Sequence, residues 1–345
     1  MLACPCPATR PGFLALKKFL IFLLIVIGGA AYYQLVRARR KSQASGEVAY
    51  VLPEKLPVLD TTAIIHRVIA TLHGGQQVMV SARIGEWAKL QLPGGRSGWV
   101  PQNTLIDRET YERGQALLKD LTRSQVQAQG HTDSPVNLHL EPSRDALKLA
   151  EFPVGQRVDV YNRRLVARSS QSPTNGKEPP QDVWYLVRSG QYAGWLLGRF
   201  VDLDVPPGLA NYAQGINMVA WLVLDTVNDG GHEVPQYVAA DRIGVRDLDF
   251  NHIRVFTWWV KHHEYVTAYV ESHLNGYFPI SVTHKDNVPY FRLRLIGDQG
   301  EKYQKVYGLF DTIVRPIGTV EGWTSEAMPP PPLSRARRRR AHRRR

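Results

Sequence analysis

The hydrophobic pattern changes period several times along the 345 residues. Phe19 to Val36 reads FLIFLLIVIGGAAYYQLV, and as a helix it would span about 27 Å, close to the ~30 Å hydrocarbon core of a bilayer. The run predicts a transmembrane helix over 19–36 behind a cytoplasmic N-terminus, 1–18. Lys17 and Lys18 precede it, Arg37 to Lys41 follow it, and Tyr32 and Tyr33 fall where an interfacial aromatic belt belongs. Gly29 and Ala31 also suit a processing site before Tyr32, so a cleaved signal peptide stays open. Residues 47–106 and 134–203 are short alternating runs broken by glycine turns, the pattern of small antiparallel strands. Between them, 107–129 is rich in helix formers. Tyr111, Leu117, Leu118 and Leu121 lie near helical spacing, and Asp107, Glu109 and Glu112 suit a helix start, which predicts a helical linker.

Beyond the break at Val205-Pro206-Pro207-Gly208, residues 208–323 alternate strongly and are aromatic-rich. They predict strands at Asn217 to Val227, His252 to His262, Tyr265 to Leu274, Tyr290 to Ile296 and Tyr303 to Pro316. The turns fall at Asn228 to Gly231, Leu274-Asn275-Gly276 and Gly297 to Gly300. An antiparallel β-sandwich or barrel satisfies these signals. Pro329 to Pro332 favours an extended polyproline segment, and the arginine block after it, within a tail at 328–345, predicts disorder.

The two alternating stretches share an order of features. Each has a Gly-Gln pair opening a strand (Gly75-Gln76, Gly155-Gln156), then an aromatic strand (from Trp87 and from Trp184) and a Gly-bearing turn. Each closes with Gly-Trp-aliphatic (Gly98-Trp99-Val100, Gly194-Trp195-Leu196). On these motifs the sequence resembles the bacterial SH3 (SH3b) family. The resemblance implies two tandem SH3-like β-barrels, 47–106 and 134–203, which in that family are extracytoplasmic modules for cell-wall peptides or other envelope components. The family's Leu-Asn-Val-Arg strand is replaced by Leu56-Pro57-Val58-Leu59 in the first copy and by Val136-Asn137-Leu138-His139 in the second, which also carries an insertion at 169–181. Trp87, Trp99, Trp184 and Trp195 are the candidate ligand-binding residues, core filling being the alternative for each.

Charge changes the picture by its location. The formal net charge is +12, yet Arg335, Arg337, Arg338, Arg339, Arg340, Arg343, Arg344 and Arg345 crowd the tail, and seven more cations flank the apolar run. Residues 42–334 carry a net −3, so a nucleic-acid footprint is missing from the body and only the arginine tail suits polyanions. Cys4 and Cys6 both precede the apolar run, which leaves the body without a thiolate nucleophile, a disulfide or a Cys-ligated metal. His232, His252, His262, His263, His273 and His284 show no metal-ligand spacing, and no GxSxG-type motif occurs.

The expectation is therefore a mainly β chain, not an enzyme, with no cofactor and no metal. It is read as a single-pass bacterial inner-membrane protein with an extracytoplasmic body, acting as an envelope scaffold. Its partners would be the membrane and peptidoglycan or envelope proteins, held through SH3-like barrels. The alternatives are an accessory subunit of a secretion or wall-assembly complex acting through the C-terminal β domain, and a wall hydrolase with SH3b targeting modules.

Overall fold

The computed structural model describes residues 46–167, 181–244 and 247–323. They form three seven-stranded sheets. The first contains β1 (Glu47–Val51), β2 (Lys55–Leu59), β3 (Val68–His73), β4 (Gln77–Ile84), β5 (Trp87–Gln91), β6 (Ser97–Pro101) and β7 (Leu105–Asp107), in the order β3-β2-β6-β5-β4-β1-β7. The second contains β8 (Ala128–Thr132), β9 (Val136–His139), β10 (Lys148–Phe152), β11 (Arg157–Ala167), β12 (Gln181–Ser189), β13 (Tyr192–Leu197) and β14 (Val201–Leu203). Its order is β10-β9-β13-β12-β11-β8-β14, which matches the first term by term.

Local chemistry explains the shared order. Val80 pairs with Leu90 and Ala82 with Lys89, with one bulge residue between, and Val160 pairs with Val187 and Asn162 with Leu186 in the same way. The glycine of each Gly-Trp step sits where the chain crosses a neighbouring strand. A Cβ on Gly98 would lie 3.0 Å from the Leu59 carbonyl oxygen, and one on Gly194 would lie 2.6 Å from that of His139. Neither sheet is the small closed barrel expected. Segments not read as strands, β1 and β7 in one and β8 and β14 in the other, extend an edge; Val201 pairs with Thr132 and Leu203 with Gly130.

Helix α1 (Arg108–Leu121) starts at Asp107, whose carboxylate accepts the Thr110 N–H at 2.8 Å. Its Leu117, Leu118 and Leu121 pack on a cluster formed by Tyr161, Trp184, Leu186, Ala193, Trp195 and Leu197 of the second sheet. Gly114 permits the approach, because a Cβ there would meet Leu149 Cδ2 at 2.9 Å.

The third sheet is a simple meander: β15 (Asn217–Asp229), β16 (His232–Arg242), β17 (Phe250–Trp259), β18 (Glu264–Lys285), β19 (Val288–Ile296), β20 (Lys302–Phe310) and β21 (Ile313–Glu321), paired in chain order. It is one sheet, which corrects the expected sandwich or barrel. The turn expected at Leu274-Asn275-Gly276 lies inside the 22-residue β18, where Gly276 makes room for the Phe250 ring. The chain reverses instead at Asp286-Asn287, whose φ values of 53° and 61° suit a two-residue hairpin between paired Lys285 and Val288. A second reversal at Asp311, φ 55°, divides the expected strand Tyr303 to Pro316 in two.

The second and third sheets share a core. Val136, Leu138, Phe152, Tyr185 and Leu196 belong to one cluster with Leu209, Met218, Trp221, Phe256 and Tyr265. A further cluster, including Phe250, Ile280, Phe291, Leu293 and Tyr307, fills the far side of the third sheet. Polar groups complete the joint. Arg163 donates to Asp249 at 2.8 Å and to the Leu248 carbonyl at 3.0 Å, while the Phe278 N–H donates to the same carboxylate at 2.8 Å. Gln127 and Gln125 each pair both amide atoms with the backbone of β18, at Ile280 and Val282 respectively. These side chains act as a short strand along a stretch of β18 that β17 has left uncovered, since β17 pairing ends at Gly276.

The apolar run 19–36, the insertion 169–180 and the arginine tail lie outside the described residues. Among the described residues no helix is long and apolar enough to cross a membrane. The single-pass anchor, the membrane as partner and the inner-membrane placement therefore have no element here to rest on, and they are withdrawn.

Candidate functional site

A cleft of about 820 Å³ opens on the second sheet, lined by β8, the start of β11 and the β12–β13 turn. Its lining is more polar than apolar, with Gln129, His131, Gln156, Arg157, Asp159, Arg188, Ser189 and Asp204 among its residues. The side chains are held by one another. His131 Nδ1 lies 2.8 Å from Asp204 Oδ1, a contact that orients the ring. Gln129 donates to Asp159 at 3.2 Å. Gln156 donates to Ser189 Oγ at 2.7 Å, and Ser189 donates onward to the Arg157 carbonyl at 2.6 Å. Ser189 therefore spends its proton on a backbone carbonyl, a role that orients Gln156 and does not suit nucleophilic attack. Gly130 at the floor has no room for a side chain, since its Cβ would run into the Asp202 carbonyl.

Gln129 and Asp204 also border a second groove, of about 550 Å³, where the third sheet meets the second. Beside Gln125, its apolar and aromatic lining comes from Val126, Ala128, Pro206, Pro207, Trp221, Leu222, Val223, Tyr237 and Val282. Trp221 is buried, with its backbone N–H donating to the Gln127 carbonyl at 2.8 Å, while Val223 stays 48% exposed. Burial pushes the Tyr237 hydroxyl above its ordinary range, although a hydrogen bond with Tyr265 works the other way. The two grooves together offer charged and amide groups at one end and an aromatic floor at the other.

The tryptophans read as candidate ligand contacts are placed elsewhere. Trp184 and Trp195 are buried under α1 in the second sheet; Trp184 packs edge-on to His139, and Arg164 lies 5.3 Å from the Trp195 ring. Trp87 and Trp99 are half-buried on the first sheet, with Lys89 Nζ 5.7 Å from the Trp99 ring. Arg335, Arg337 to Arg340 and Arg343 to Arg345 are outside the described residues. Among the described residues no group of three His, Cys, Asp or Glu side chains is placed to hold a metal ion. His252 faces Asp241 at 2.8 Å, His263 faces Asp229 at 2.6 Å, His284 faces the Leu224 carbonyl at 2.7 Å, and His262 lies tilted against the Trp259 ring. The cleft residues were missed from sequence, apart from Gly155-Gln156. That pair registers as a strand opening, and the fold places it in the cleft wall.

No known protein family matches the chain, and no curated protein does. Among solved structures it overlaps NlpC2 from Trichomonas vaginalis at 10% identity, covering 67% of this chain and 98% of that one, with a TM-score of 0.17. NlpC1 from the same organism overlaps at 9% identity over 81% and 94%, TM-score 0.17. An NlpC/P60 family protein from Bacillus cereus ATCC 10987 overlaps at 12% identity over 50% and 64%, TM-score 0.22. At these scores neither fold nor activity is carried across. The SH3b identification is corrected, with no family match and seven-stranded sheets in place of small barrels. The membrane-anchored scaffold reading built on it falls too. The expectation that the chain is no enzyme is withdrawn as well, and these overlaps assign it no activity.

Proposed function

We propose that the chain is an accessory, partner-binding subunit of a larger assembly, of the wall-assembly or secretion kind, acting through its C-terminal β domain and the groove beside it. The observation that carries this reading is the run of the polar cleft into the aromatic groove across Gln129 and Asp204. Amides at Gln129 and Gln156 can meet peptide N–H and C=O groups, and Arg157, Arg188, Asp159 and Asp204 can meet side-chain charges of either sign. The floor at Trp221 and Tyr237 then takes an apolar or aromatic residue. An extended polypeptide segment supplies that order of chemistry. A glycan supplies the hydroxyls and lacks the apolar block.

The test is an array of extended decapeptides probed with the full chain, followed by calorimetric titration of the best binder. The expected binder has charged residues next to an aromatic one, and Tyr237→Ala weakens it about tenfold, as removal of an aromatic contact of roughly 1–2 kcal/mol requires. An array with no binders, or an affinity unmoved by Tyr237→Ala, sinks the reading.

A further inference from the structure

The matching registers of the first two sheets pair their outer faces position by position. Trp87 corresponds to Trp184, Lys89 to Leu186, Trp99 to Trp195 and Pro101 to Leu197, each fixed by the same cross-strand partners: Trp87 with Pro101 and Lys89 with Trp99 in one sheet, Trp184 with Leu197 and Leu186 with Trp195 in the other. On the second sheet this face is buried, and what buries it is an amphipathic helix, α1, through Leu117, Leu118 and Leu121. On the first sheet the same positions are half-buried. Next to them Ile84, paired with Trp87, is 62% exposed.

We infer that the outer face of the first sheet, Ile84, Trp87, Lys89, Trp99 and Pro101, is a docking site for an amphipathic helix of a partner protein. The molecule itself shows the occupant this geometry accepts. The differences between the faces specify the helix further. Lys89 stands where the second sheet has Leu186, and its ammonium lies over the Trp99 ring at 5.7 Å, beside the apolar residues of the face. A helix seated there presents leucine-like side chains to Trp87 and Trp99 and places one carboxylate against Lys89. The pairing gives orientation and selectivity, because a basic residue at that place would bring like charges together.

The experiment uses the full chain and a stapled helical peptide of the α1 sequence, Asp107 to Thr122, in two forms, Leu118→Glu and Leu118→Lys. The acidic peptide binds, the basic one binds at least tenfold more weakly, and Lys89→Glu reverses that order. Trp99→Ala reduces binding of the acidic peptide about tenfold with circular dichroism unchanged, and Trp87→Ala, read the same way, guards against a folding defect in one variant. Absence of binding, or a peptide preference that Lys89→Glu does not reverse, overturns the proposal. Sedimentation showing a dimer that Trp99→Ala dissolves also overturns it, by making a second copy of this chain the occupant.

Discussion

Glu271 sits where three donors converge: Tyr269 at 2.8 Å, Tyr307 at 2.7 Å and Lys305 at 2.5 Å. Burial pushes its carboxyl up, and the hydrogen bonds from Lys305, Tyr307 and Tyr269 outweigh that, holding it below the usual carboxylate range. A carboxylate whose pKa is depressed in the folded state adds stability above its unfolded value of about 4.3 and loses it as pH falls through the folded value. Glu271→Gln should therefore cost about 1–3 kcal/mol at pH 7. In urea titrations at pH 7, 5 and 3 the gap between variant and parent should close towards the lowest pH; a gap independent of pH would assign the cost to packing. Gly194 makes a sharper steric statement. With the His139 carbonyl oxygen 2.6 Å from a would-be Cβ, Gly194→Ala has to move backbone, and we expect a loss of about 1–3 kcal/mol. Gly190→Ala, in an open turn with φ 54°, meets no atom within 4 Å and should lose only the smaller cost of a left-handed alanine, about 1 kcal/mol. Equal losses in thermal melts of the two variants would refute the steric account.

At the scale of elements, the joint between the second and third sheets depends on two glutamines acting as strand. Gln127 donates to the Ile280 carbonyl at 3.0 Å and accepts the Ile280 N–H at 2.7 Å, in a fully buried setting. Gln127→Leu keeps the bulk and removes both bonds, so it should cost about 2–4 kcal/mol, near the penalty for leaving a buried donor and acceptor unmade. Amide exchange at Ile280 should quicken selectively; if it stays as slow as in the parent, the glutamine is not the partner that matters. No local pattern announces such a joint, because a glutamine in a polar stretch reads as solvated surface. Elements whose rules are local were legible. Asp107 marks the start of α1 and the alternation marks most strands, whereas the Gly-Trp steps were read only as a motif and the structure alone shows that Gly98 and Gly194 sit where a Cβ would clash. The misread elements turn on longer-range facts. Gly276 looks like a turn residue, yet it is a space for the Phe250 ring within a strand that changes partners along its length, from β17 to β19. The strand β16 was not read although Val234, Gln236 and Val238 alternate through it; it contains Pro235, which the ladder accepts opposite Thr226.

The described residues of 106–323, which hold the second and third sheets, belong to one compact unit. They share an apolar cluster, a buried Arg163–Asp249 pair and the glutamine joint. The site was illegible in sequence for the same reason: Gln129, Arg157, Arg188 and Asp204 come from separate strands and loops, and only the shared core brings them to one cleft beside Trp221 and Tyr237. Leu209 is the point at which to test this. It is completely buried within the common cluster, on the link just before the short helix α2 (Ala210–Ala213). Leu209→Ala removes about 2–5 kcal/mol of packing from a site that belongs to neither sheet alone. If unfolding is cooperative across the joint, the slowest-exchanging amides of β12 and of β17 must lose protection by the same free energy, and chemical denaturation must stay a single transition for this unit. If β17 loses protection while β12 keeps it, the second sheet is stable without its neighbour. The cleft would then survive removal of 208–323 while the aromatic groove would not, and the two surfaces would have to be assigned to separate ligands.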